Sequence, residues 1–100
     1  MTTMYRQGDL LFVPVESIPN GAVPVPDGVI ARGEASGHAH RLQLGAGRAL
    51  MVLAGVAYVR ALQLATIVHE EHGAVTLPIG NWRVDRQREY EPEGWRQVAD

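Results

Sequence analysis

Eleven glycines and six prolines cut this 100-residue chain into short apolar runs. That rhythm constrains the fold more than any other feature. Glycine and proline punctuate turns and weaken helix interiors, and the runs between them lack a sustained helical period. Asp9 to Val15, Val29 to Glu34, His38 to Leu44, Ala49 to Leu53, Val56 to Leu62, Ala65 to His69, Val75 to Ile79 and Trp82 to Tyr90 all read as strands. Trp95 to Ala99 offers a further short edge strand, and Ala61 to Ala65 would also tolerate a helical turn. The turns fall at Glu16 to Gly28, Gly45-Ala46-Gly47, Ala54-Gly55 and Glu70 to Gly73.

About eight short strands with no long helix to cover a sheet predict an all-β fold, either a β-barrel or a sandwich, since both hide strand edges. A small barrel is the architecture expected here. Residues 1–100 are expected to form one domain, because the length suits a single core and no linker or internal repeat interrupts it.

Composition removes several kinds of chemistry. There is no cysteine, so disulfides, thiolate metal sites, iron–sulfur clusters and cysteine nucleophiles are excluded. All nine basic residues are arginine, which removes Schiff-base lysines. A net charge of −2 provides no basic surplus for nucleic acid. The apolar run Ala49 to Val59 is far short of a membrane span, and the N-terminus lacks the pattern of a signal peptide. A cytoplasmic protein is therefore expected.

The four histidines all fall into two tight pairs, His38-Ala39-His40 and His69-Glu70-Glu71-His72. In a strand, His38, His40, Leu42 and Leu44 share one face, so both imidazoles of the first pair are expected to look into the core. The second pair has i, i+3 spacing and needs a turn or bulge to converge, which Gly73 makes credible. His69 shares its face with Ala65 and Ile67 and is the better inward candidate of the two. Neutral imidazoles bind first-row metals without burying a charge, so His38, His40, His69 and His72 are expected to form one metal site for Zn, Ni, Fe or Mn. Three ligands would leave a place for water, and four would make a structural site. Glu34 and Glu70 are the candidate catalytic carboxylates, as base or as orienting groups; Glu71 reads as a solvated turn residue.

Arg86 and Arg88 share a face of the Trp82 to Tyr90 strand and could grip a small anionic ligand; pairing with nearby glutamates is the competing reading. Trp82, Tyr90 and Trp95 read as packing residues. No phosphate loop, nucleophile elbow or Ser-His-Asp spacing is present.

The blocks Gly33-Glu34-Ala35-Ser36-Gly37-His38-Ala39-His40, His69-Glu70-Glu71-His72-Gly73, Leu77-Pro78-Ile79-Gly80 and Arg86-Gln87-Arg88-Glu89-Tyr90 resemble a family of small bacterial and phage-borne proteins of unknown function. A looser similarity is to cupins, on Gly33 with His38-Ala39-His40 and Gly73 with Pro78-Ile79-Gly80. The cupin glutamate after the second histidine is missing, and Arg83 stands where the late histidine belongs, so the similarity implies architecture alone. Two functions follow: a cupin-like metalloenzyme or small-molecule binder, or an accessory protein, phage-associated in origin, in which metal or a histidine cluster only staples the fold. A homodimer is the expected assembly.

Overall fold

The computed structural model describes residues 3–32, 37–91 and 94–97, and among them no helix is formed. The strands are β1 (Tyr5–Gln7), β2 (Leu10–Val15), β3 (Val23–Pro24), β4 (Val29–Arg32), β5 (Ala39–Leu42), β6 (Arg48–Leu53), β7 (Val56–Ala61), β8 (Ala65–Val68), β9 (Val75–Leu77), β10 (Gly80–Arg86), β11 (Arg88–Glu91) and β12 (Gly94–Gln97). Two antiparallel sheets hold the first ten, in the orders β1-β2-β10-β7-β6-β3 and β4-β5-β8-β9, while β11 and β12 pair only with each other.

The sheets do not close into the barrel expected from the strand count; they make a sandwich. Each sheet buries alternate residues, and the core joins Leu10, Phe12, Leu50, Val59, Ala61, Trp82 and Val84 of the larger sheet to Leu42, Ala65, Ile67 and Leu77 of the smaller. Burying the inner faces of two sheets satisfies the same alternation that would line a barrel. The period-two pattern alone does not distinguish them.

Turn chemistry sets two registers. Gly8 and Asp9 form a two-residue turn between Gln7 and Leu10, with Gly8 at φ +58°. Ala54 and Gly55 connect Leu53 to Val56 with both φ values positive, at 52° and 78°. Left-handed positions in two-residue hairpins match the twist of the flanking strands. Pro14 is tolerated in β2 because β1 pairs only with Leu10 to Phe12, which leaves one side of β2 without a ladder beyond that point.

Several boundaries differ from the sequence expectation. Trp82 to Tyr90 is not one strand: β10 ends at Arg86, and the Gln87 N–H adds a last bond in the β2–β10 register, to the Asp9 carbonyl at 2.7 Å. The segment after Ala61 bends without helical structure. Leu44 lies beyond the end of β5 and is exposed, so it does not share the buried face of His40 and Leu42. Among the described residues there is no helix long and apolar enough to cross a membrane.

Phe12 is fully buried between the sheets. Phe12→Ala is expected to lower unfolding free energy by about 3–5 kcal/mol through lost burial and the remaining cavity. Urea denaturation checks this, and a loss under about 1 kcal/mol would contradict the packing described.

Candidate metal centre

At one end of the sandwich the β1–β2 turn, the start of β5 and the β8–β9 loop come together. The β5–β8 register pairs Arg41 with Val68 and Leu42 with Ile67. Carried one step past the end of β8, it sets His40 opposite His69, whose ring centroids are 4.4 Å apart. One step further, Ala39 lies opposite Glu70, and the Glu70 carboxylate takes the Ala39 N–H at 2.9 Å where a strand carbonyl would otherwise serve. Glu70 also accepts from Arg41 at 3.2 Å. The Ala39 N–H, then Glu70's own N–H and more weakly the Arg41 contacts, hold the Glu70 carboxyl down at about 2, well below its ordinary value.

The i, i+3 pair converges through a tight bend. His69 organises that bend itself, since its Nδ1 accepts the Glu71 N–H at 3.0 Å and the His72 N–H at 3.3 Å. The His72 ring is thereby brought to 4.6 Å from that of His69 and nearly parallel to His40 at 6.1 Å. His38 precedes β5 and meets His69 edge-on at 5.6 Å, with its Nδ1 3.4 Å from Glu71. The structure therefore brings together all four histidines expected from the sequence. Among the described residues, His38, His69 and Glu70 form a group whose donor atoms all lie within 4.8 Å of one another.

His40 is the centre of the cluster and is completely buried. Its Nδ1 lies 2.9 Å from Gln7 Oε1, and Gln7 in turn donates from Nε2 to the carbonyls of Ile67 and Gly73, each at 2.9 Å. Its Nε2 lies 3.4 Å from Oδ1 of Asp9, also completely buried. The second Asp9 oxygen receives Arg86 Nε at 2.7 Å, and Arg86 donates further to the Arg32 carbonyl at 3.1 Å. Burial, then the neighbouring His69, lowers the His40 pKa to about 4, against the opposing pull of Asp9. The ring is neutral at physiological pH.

Gly8 is required here for space as well as for its positive φ. A Cβ at this position would stand 2.6 Å from His72 Nε2 and 3.3 Å from His40 Cε1. The β1–β2 turn packs directly on the two rings.

Sequence reasoning misses Gln7, Gly8 and Asp9 as site residues. Their only signal is a polar Gln-Gly-Asp triplet at a hairpin tip, which by itself describes an ordinary turn. Arg86, read as either an anion-binding or an ion-paired residue, pairs with Asp9 and not with a nearby glutamate. Arg88 belongs to β11, whose side chains are outside the described part, and Glu34 lies outside the described residues. Glu71 is exposed, as expected of a turn residue, yet it also contacts His38.

A two-sheet β-sandwich with an interior histidine cluster at one end is the class of protein that this fold and site define. The family model described as Domain of unknown function (DUF8820) matches residues 6–87, and the chain belongs to that family. No curated protein and no solved structure matches it.

The shifted groups give the metal-free protein two acid-sensitive windows. The unfolded chain protonates His40 near 6.5 and the folded protein only near 4, so between these values the unfolded state binds more protons and stability falls as pH falls. Glu70, depressed from 4.5 to about 2, contributes stability above pH 4.5 that is lost as pH drops toward 2. Urea titrations of EDTA-treated protein are expected to show the upper window flattened in His40→Asn and the lower one in Glu70→Gln. Parallel pH profiles in all three proteins would contradict these assignments.

Proposed function

We propose that this protein binds a divalent first-row transition metal through its histidine cluster, and that the ion is its functional centre. One observation carries the reading: His40 is wholly buried, with one ring nitrogen secured by Gln7 and the other turned toward a buried carboxylate. Metal-ligating histidines characteristically have one nitrogen oriented by a fixed partner in this way. His72 adds a buried Nε2 without a hydrogen-bond partner among the described residues. A buried polar atom of this kind is costly unless something satisfies it.

His69 stands differently toward the ion. Its Nδ1 accepts two backbone N–H groups, so the neutral ring carries its proton on Nε2. His69 ligates through Nε2 only by surrendering that proton and those bonds. Otherwise it serves the centre as a donor. His38, at the rim with Glu71, completes the histidine set.

The candidate catalytic role of Glu70 is that of an orienting residue, because it fixes Ala39 beside His40 and neutralises Arg41. A cavity of about 240 Å³ lined by Ala39, Arg41, Val68, His69 and Glu70 opens next to the cluster. It gives a small molecule access to the neighbourhood of the ion. This favours a metalloenzyme or small-molecule binder over a metal that only staples the fold. Arg41 lines this cavity and Arg86 does not, and both guanidiniums are paired, with Glu70 and with Asp9. Bound in such a site, the metal would supply Lewis acidity and lower the pKa of coordinated water.

Tag-free protein expressed with supplemented metal is expected to carry close to one equivalent of Zn, Fe, Mn or Ni by mass spectrometry. His40→Ala, purified identically, is expected to lose most of it, with His72→Ala affected less. A metal-free parent under these conditions would overturn the reading.

A further inference from the structure

We infer that Asp9 is a ligand of the same ion as His40, so that the centre is a mixed imidazole and carboxylate site anchored on the β1–β2 turn. The inference rests on the proposal that the cluster binds metal.

The Gln7 amide cannot be reversed without loss, because its nitrogen already donates to two carbonyls, those of Ile67 and Gly73. Its oxygen therefore faces His40 and accepts, which places the proton of the neutral ring on Nδ1. Nε2 is left with a lone pair. That lone pair looks at a carboxylate oxygen 3.4 Å away, and both residues are completely buried. Two acceptors facing each other in a site without bulk water are held together by a proton or a metal cation between them, and the test below separates the two.

The separation suits a metal. Two donors bonded to one ion at about 2.0–2.2 Å and near-tetrahedral angles stand roughly 3.4 Å apart. Arg86 acts as a positioning residue: it takes Oδ2 at 2.7 Å and leaves Oδ1 on the His40 side. The Gln87 N–H fixes the Asp9 main chain from the same strand end. His72 Nε2 borders the same space, since the glycine gap at Gly8 touches both it and the His40 ring. Asp9 and His40 thus give one carboxylate and one imidazole donor to the same space. Such donors favour Zn²⁺, Fe²⁺ or Mn²⁺ over soft Cu⁺.

The test uses Zn²⁺ with EDTA-stripped full-length protein, by calorimetry and by NMR of histidine ¹⁵N and aspartate ¹³Cγ resonances. In the parent, Zn²⁺ is expected to shift His40 Nε2 and Asp9 Cγ together, at one equivalent. Asp9→Asn, which can still accept from Arg86, is expected to weaken Zn²⁺ binding by about 100-fold, and Arg86→Gln by about 10-fold. Should Asp9→Asn fail to fold, the parent spectra decide alone. A His40 shift without an Asp9 shift, or an imidazolium at pH 7 that Zn²⁺ leaves unchanged, would overturn the inference. Unaltered affinity in folded Asp9→Asn would overturn it too, while leaving metal binding intact. Absence of Zn²⁺ binding in the parent would instead remove the underlying proposal.

Discussion

The Gln7 side chain is the interaction on which the end of the sandwich depends. It leaves β1 in the larger sheet, donates to the Ile67 carbonyl on β8 and the Gly73 carbonyl ahead of β9, and meets His40 on β5 with its oxygen. One amide thus satisfies two carbonyls and a buried imidazole while joining the two sheets. Removing it would strand several buried polar groups at once, which costs far more than the net worth of any single bond. That connection holds the β1–β2 turn over the histidines, and the turn in turn presents Asp9.

The cluster is built mainly from strand ends. β5 begins and β8 finishes beside it, where the ladder no longer satisfies every backbone group. Side chains accept the leftover N–H groups instead. Glu70 receives the Ala39 N–H, and the His69 ring receives two N–H groups of its own bend. Polar residues at such positions therefore serve backbone satisfaction and site geometry together. Glu70 illustrates the consequence. Its carboxylate shares the His38 and His69 neighbourhood, yet its oxygens already stabilise the chain around them.

The direction of each ring's proton follows from these bonds, and it separates the histidines by role. His40 donates from Nδ1 and presents a lone pair at Nε2. His69 does the reverse. Four histidines of equal standing in the composition become an anchor with an available lone pair, a proton-bearing neighbour, a partly buried companion in His72 and a rim residue in His38.

Much of this is legible in the chain itself. Alternation and turn residues carry the all-β character and the Ala54-Gly55 hairpin, because period and left-handed turn positions are local properties. The break at Gln87 is not legible, since Arg86-Gln87-Arg88 continues an acceptable strand pattern and the Gln87 N–H still bonds in register to the Asp9 carbonyl. Nor is the choice of sandwich over barrel, which depends on how the sheets face each other and leaves the alternation unchanged. Asp9 and Arg86 lie 77 positions apart. The sequence by itself determined which residue types were available as metal donors and that they would fall in or beside the ends of strands. Only the tertiary structure decided that a turn aspartate would face His40, and that Arg86 would pair with that aspartate and not with a glutamate near it in sequence, because those contacts join segments that no local periodicity relates.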